Sequence, residues 1–164
     1  MTFRPPVRLG LAIALLVLIL DQASKWAIVE HVMNPPQVIV LGPFLDIVMA
    51  WNKGVSFGMF NQDSPWNAPV LSLLALAISA FLLNWLWKSN GRWVPLAIGL
   101  IVGGALGNVI DRIRFGAVAD FLYFHLDSYY WPAFNVADSG ISVGAIMLVW
   151  DSLFAGQESP KKEG

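Results

Sequence analysis

The chain has 164 residues, 57% of them hydrophobic and 13% charged, with a formal net charge of -1. Soluble domains carry roughly 25% charged residues, and half that share spread over long apolar runs describes an integral membrane protein. The charge balance gives no argument for nucleic-acid binding, and the absence of cysteine excludes disulfides, a thiol nucleophile and a cysteine-ligated metal.

The first apolar run covers about residues 9–28. Arg4 and Arg8 precede it, as in a signal peptide, but it leads into Asp21-Gln22-Ala23-Ser24-Lys25 with no Ala-x-Ala cleavage pattern. A retained membrane span is therefore expected. Asp21 and Lys25 lie i, i+4 with the acid first, a supporting ion pair that spares both charges the membrane. Residues 30–67 form a connection too long for a turn and too apolar for a disordered linker. Val38-Ile39-Val40-Leu41 and the run from Phe44 to Trp51, separated by Gly42-Pro43, read as two strands of a small sheet on the outer membrane surface.

Further apolar runs cover about 68–87, 93–110 and 136–154. At ~1.5 Å per residue, each of the four approaches the ~30 Å hydrocarbon core. Lys88 and Arg92 flank the tight Ser89-Asn90-Gly91 reversal, and Lys161 and Lys162 follow the fourth run. With Arg4 and Arg8, these place both termini and the 155–164 tail in the cytoplasm. Arg112 and Arg114 break that rule locally and are expected to be site residues or interfacial anchors. Most of the eight tryptophans flank spans or outer loops, as an aromatic belt does. The expected fold is mainly α and integral to the membrane. It is one domain over 1–164, a four-helix bundle with a small β-rich extracytoplasmic subdomain between helices 1 and 2.

Gly103 and Gly107 form one small-xxx-small pair and Gly140 and Gly144 another, which predicts close packing of the third span on the fourth. That packing would bring together Asp120, in Gly-Ala-Val-Ala-Asp-Phe, and Asp138, in Pro-Ala-Phe-Asn-Val-Ala-Asp-Ser-Gly. Ionisable groups at the edges of membrane spans are functional candidates. Asn108, Asp111 and Arg112 share one helical face, and Asn135 shares another with Asp138. Two close carboxyls cannot both ionise easily, so one keeps its proton. The charged member can activate water while the neutral one hydrogen-bonds an amide carbonyl, as in aspartic proteases. His31 and His125 have no metal-type spacing, and neither metal nor cofactor is expected. Paired intramembrane acids also suit a proton-coupled transporter or proton relay, and a polar network suits a non-enzymatic scaffold. The chain is short for a transporter, shows no transporter-type repeat and concentrates its acids at one face.

Five blocks complete the reading. They are Asp21-Gln22-Ala23-Ser24-Lys25, Asn52-Lys53-Gly54-Val55-Ser56-Phe57-Gly58, the run from Gly103 to Arg112, Gly116-Ala117-Val118-Ala119-Asp120-Phe121, and Trp131-Pro132-Ala133-Phe134-Asn135-Val136-Ala137-Asp138. In this order the chain resembles the lipoprotein signal peptidase (signal peptidase II) family of bacterial membrane aspartyl proteases. The resemblance implies that Asp120 and Asp138 are the catalytic dyad. It implies that Asn108, Arg112 and Asn135 line or brace the site, that Asn52 and Gly54 help hold substrate, and that Asp21, Lys25 and Asp111 are supporting structure. The implied substrate is a prolipoprotein whose lipobox cysteine carries a diacylglyceryl group, cut just before that cysteine. A bacterial inner-membrane location and sensitivity to globomycin are also implied. One bundle holding every part of the site implies a monomer, surrounded by membrane lipid.

Overall fold

The computed structural model describes residues 4–54 and 64–154. Val55, Ser56, Phe57 and Gly58 of the second block, and the 155–164 tail with Lys161 and Lys162, lie outside the described residues.

Among the described residues, four helices are long and apolar enough to cross a membrane. Helix α1 (Pro5–Ala27) starts on two prolines, which suit a first turn whose N–H groups lack partners, and widens into a π-helical turn at Ile28–Val32. Helices α2 (Asn67–Lys88) and α3 (Trp93–Phe115) are joined by a short turn in which Gly91 takes a φ of 72°. The guanidinium of Arg4 donates to Asn90 Oδ1 at 2.6 Å, so the start of α1 lies beside this turn. Helix α4 (Val136–Phe154) ends the described chain. Helix α3 buries 61% of its apolar window, against 17–28% for the other three, and so forms the centre of the bundle. Residues such as Leu15, Leu73, Phe81 and Ile146 on the outer helices are exposed, as lipid-facing side chains are.

Helix α3 runs to Phe115, beyond the expected end near residue 110, so Asp111, Arg112 and Arg114 remain helical. It stops at Gly116, whose φ of 72° gives a left-handed cap and whose N–H bonds Arg112 O at 3.0 Å.

One of the two glycine pairs meets the expected neighbour and the other does not. Gly140 and Gly144 do seat α4 on α3. A Cβ at Gly144 would meet Ala97 O at 2.6 Å, and one at Gly140 would meet Leu100 O at 3.2 Å. Gly103 and Gly107 instead face α1: a Cβ at Gly103 would meet Ala14 O at 2.5 Å, and one at Gly107 would strike the Asp21 carboxylate. On α3 it is Gly104 that meets α4, at Ala137 O. Spacing places two residues on one face but does not name the helix opposite, and α3 has neighbours on several sides.

The sheet is also larger than expected. Strands β1 (Ile39–Gly42) and β2 (Leu45–Asn52) occur where the apolar runs place them. Strands β3 (Val118–Leu126) and β4 (Tyr129–Tyr130), between α3 and α4, extend the antiparallel order to β1-β2-β3-β4. Two cores hold the assembly. One joins Ala14, Leu82, Leu86, Ile98 and Val102 of the first three helices. The other packs Phe121 of β3 on Ile28 and Met33, which seats the sheet at one end of the bundle.

Candidate active site

Register places the first acid. Ala50 pairs with Asp120 and Asn52 with Val118, so Asn52 is the diagonal neighbour of Asp120 on one sheet face. Its amide donates to Asp120 Oδ2 at 3.0 Å. The segment entering α4 is laced to the same strand. Leu122 N–H donates to Phe134 O at 2.8 Å, and Phe134 N–H donates back to Leu122 O at 3.0 Å. The next residue, Asn135, is therefore delivered beside Asp120.

Asn135 precedes the first helical residue of α4 and acts as its N-cap. Its Oδ1 accepts the Asp138 N–H at 2.9 Å, and Asp138 Oδ2 accepts the Asn135 N–H at 3.3 Å. This is a capping box with a candidate catalytic acid as its third residue. The Asn135 amide also donates to Asp120 Oδ1 at 2.7 Å. One side chain thus holds both candidate acids, one by its carbonyl and one by its amide. Asn108 completes the bracket, donating to Asp138 Oδ1 at 2.8 Å.

Asp120 is buried, with 2% of its surface exposed. Burial, and then the charge of Asp138, push its carboxyl up to about 7 against the hydrogen bonds from Asn52 and Asn135. Asp120 consequently holds its proton up to near-neutral pH, and its titration depends on the charge of Asp138.

The remaining expected site residues surround this pair. Arg112 donates to Gly54 O at 3.2 Å, tying α3 to the loop after β2, and its buried Nε has no partner among the described residues. Asn52 Oδ1 accepts the Gly54 N–H at 3.0 Å. Arg114 is not in the site; it lies over the Phe115 ring at 4.8 Å. Asp21, Lys25 and Asp111 form a buried ion cluster behind the pair, with Lys25 Nζ 2.9 Å from each carboxylate. Among the described residues no three His, Asp or Glu side chains are grouped as metal ligands.

Two grooves reach Asp138. One, of about 310 Å³, runs between α2, α3 and α4. Leu71, Leu74 and Ile78 form its apolar wall, and Asn52, Arg112 and Asp138 form its polar end. Helices α2 and α4 both pack on α3 and hardly touch each other, so the groove opens between them. The second, of about 390 Å³, meets Asp138 along Ser139, Ser142 and Phe134.

Sequence reasoning missed the contribution of α2, whose uniformly apolar residues carry no polar marker. It also missed Gln22 as a separate contributor. The Gln22 amide donates to Asp21 Oδ2 at 3.2 Å, Gly107 O at 3.2 Å and Asp111 Oδ1 at 3.0 Å. Its place between Asp21 and Lys25 in the first block was the available signal.

A four-helix membrane bundle with a small sheet at one end, and two carboxyl groups bridged by one asparagine at their junction, fits a membrane-embedded hydrolase of the aspartyl type. Comparison with known proteins agrees. A family model described as signal peptidase (SPase) II matches residues 13–154. A lipoprotein signal peptidase of Methylocella silvestris is 43% identical over 151 residues, covering 92% of this chain and 88% of that protein. One of Beijerinckia indica subsp. indica is 44% identical over 164 residues, covering 98% of each. A bacterial membrane enzyme structure solved by the in meso method superposes with a TM-score of 0.82 at 29% identity, covering 94% of this chain and 93% of that one. The chain belongs to the signal peptidase II family. It is a protease and a multi-pass bacterial membrane protein that cleaves signal peptides.

Proposed function

We propose that this protease removes signal peptides from prolipoproteins whose lipobox cysteine carries a diacylglyceryl group, cutting just before that cysteine, with Asp120 and Asp138 as the catalytic dyad. The observation that carries the reading is the bridging of both acids by Asn135 at the polar end of a groove open between two membrane helices. A signal peptide is an apolar helix lying in the membrane. It enters sideways between α2 and α4, and the scissile bond meets the dyad where the apolar wall ends.

The singly protonated dyad does the chemistry without a covalent intermediate. The charged carboxylate takes a proton from a water molecule, whose oxygen attacks the scissile carbonyl carbon. The neutral carboxyl hydrogen-bonds the carbonyl oxygen and transfers its proton to it, giving a tetrahedral gem-diol. The carboxyl formed in the attack then protonates the departing nitrogen. The C–N bond breaks as the diol returns a proton to the other carboxylate. The products are a new C-terminal acid and the free amine of the lipidated cysteine, and the dyad again holds one proton. Arg112 and Asn52 line the groove beside the dyad and hold the substrate backbone. Strand β1 pairs only as far as Ile47 on β2, so residues 50–52 are paired on the β3 side alone among the described residues. That open edge suits an unwound substrate segment added as a strand.

Both termini lie in the cytoplasm and the dyad near the extracytoplasmic face of a monomer. The basic flanks of α1 and of the α2–α3 turn share one side, opposite the sheet. Exposed Val40, Leu126, Tyr129 and Trp131 suit a sheet resting on the outer membrane surface. The test is cleavage of a lipidated prolipoprotein by the purified protein in detergent. Asp120→Asn and Asp138→Asn each abolish the shortened product while the protein stays folded. Full cleavage by either variant refutes the dyad.

A further inference from the structure

The ion cluster behind the dyad has more parts than a helix cross-link needs. Asp21, Lys25 and Asp111 are 0%, 3% and 1% exposed, three buried charges where one acid and one base would join α1 to α3. Buried pairs are commonly no more stabilising than well-packed apolar residues, so stability alone does not account for three. Their remaining bonds are informative. Asp111 Oδ2 accepts the N–H of Ala119 at 3.1 Å, and Asp21 Oδ1 accepts the N–H of Ala137 at 2.9 Å. These are the residues immediately before Asp120 and Asp138. Each acid of the dyad is thus held, through the N–H of the residue before it, on a separate buried carboxylate.

Lys25 joins the two holds. Its ammonium lies 2.9 Å from Asp21 Oδ2 and 2.9 Å from Asp111 Oδ2, and it donates to Asn108 Oδ1 at 2.9 Å. All three donors of the ammonium are used. The third bond fixes the direction of the Asn108 amide: with its oxygen on Lys25, its NH2 points at Asp138 Oδ1, 2.8 Å away. The Gln22 amide also bridges the same two carboxylates, donating to Asp21 Oδ2 and Asp111 Oδ1.

We propose that Lys25 is a positioning residue for the proteolytic reaction, one cation that sets the spacing of Asp120 and Asp138 through two matched carboxylates and orients the Asn108 amide against the second. The proposal rests on the reading of Asp120 and Asp138 as the dyad. Its ammonium also favours the ionised form of Asp120, opposing burial and Asp138. The charged groups around Asp120 and Lys25 are Asp21, Asp111, Arg112 and Asp138, from α1, α3 and α4.

The test compares Lys25→Met, Gly107→Ala and Gly103→Ala in the full chain in detergent, with lipidated prolipoprotein as substrate. The readouts are Tm, kcat and KM per folded molecule, and the pH profile. Lys25→Met lowers kcat about 100-fold while KM stays within about threefold, as a misplaced catalytic pair does. The alkaline limb of its pH profile moves to higher pH, because the cation that favoured ionised Asp120 is gone. The glycine pair gives a second route should Lys25→Met not fold. Both glycines lie in the α1–α3 seam, but a methyl at Gly107 pushes the Asp21 carboxylate off Lys25, whereas the atoms nearest one at Gly103 belong to Ala14 and Val17. Gly107→Ala lowers kcat about tenfold, and Gly103→Ala keeps the wild-type kcat and pH profile at a similar loss of Tm. Equal kcat in the two glycine variants, or a folded Lys25→Met enzyme with wild-type kcat and pH profile, overturns the proposal. A wild-type protein that fails to cut lipidated prolipoprotein refutes the substrate reading instead.

Discussion

Replacing Asn135 by alanine separates two functions that one side chain performs. Its amide donates to Asp120 Oδ1 at 2.7 Å and makes weaker contacts with Ala119 O at 3.3 Å and Asn108 Oδ1 at 3.4 Å. Leaving a buried group without its hydrogen-bond partner costs about 1–3 kcal/mol, and a tenfold change in rate corresponds to about 1.4 kcal/mol, so kcat falls about 10- to 100-fold. The same bond favours ionised Asp120, so its loss lifts that carboxyl further and displaces the alkaline limb of the pH profile upward. Its Oδ1 caps α4 through the Asp138 N–H at 2.9 Å, and losing an N-cap costs about 1 kcal/mol of stability. Asn135→Ser resolves the two effects. Serine caps a helix as well as asparagine does but is too short to reach Asp120 as well. Thermal unfolding in detergent shows Asn135→Ser near wild type and Asn135→Ala lowered, while prolipoprotein cleavage is depressed in both. An alanine variant within about threefold of the wild-type kcat, or a serine variant that regains activity together with Tm, refutes the bridging role.

Further outcomes follow from the same geometry. The cleavage rate falls as pH rises through about 7, where Asp120 loses the dyad's proton; a rate that stays flat from about pH 5 to about pH 9 rejects proton sharing. The raised carboxyl also makes a stability statement. Between its ordinary range and about 7 the folded state holds a proton that the unfolded chain has released, so wild-type stability declines as pH rises through that window. Asp120→Asn removes that decline, and its Tm relative to wild type is higher at pH 8 than at pH 4. Gly144→Leu lowers Tm sharply, because even a Cβ there would meet Ala97 O at 2.6 Å, whereas Gly42→Ala, with nothing within 4 Å, leaves Tm unchanged. Ala75→Trp fills the groove from α2 and raises KM about tenfold with kcat nearly unchanged. An unaltered KM would place the signal peptide elsewhere.

What the residues announced depended on the range of the interaction. The four spans were legible because membrane insertion is decided within each segment, by an apolar run about 20 residues long. The acids stood out for a related reason, since charge at a span edge is rare and needs a partner. Helical spacing likewise put Asn135 and Asp138 on one face, although the capping box behind that spacing emerged only with the hydrogen bonds. Partner choice was another matter. Gly103 and Gly107 share a face, but whether α1 or α4 lies against it depends on how three helices pack at once. Strand β3 has the β-branched and aromatic residues of a strand, yet its partner β2 lies on the far side of two membrane helices in the chain.

The same distinction explains why the site has so many polar parts. Asp120 sits on a strand, Asp138 on a helix, and their brackets come from α1, α3 and the start of α4. No local rule of the backbone fixes a distance between a strand residue and a helix residue, so the dyad must be tied by long-range polar bonds. In an apolar bundle such bonds face little competition from water, and each group left unpaired costs several kcal/mol. A network that satisfies Asn108, Asn135, Lys25 and the carboxylates together therefore holds one arrangement of the acids against its neighbours. The polar residues cluster at one end of the bundle because that is where two kinds of secondary structure have to be held in register.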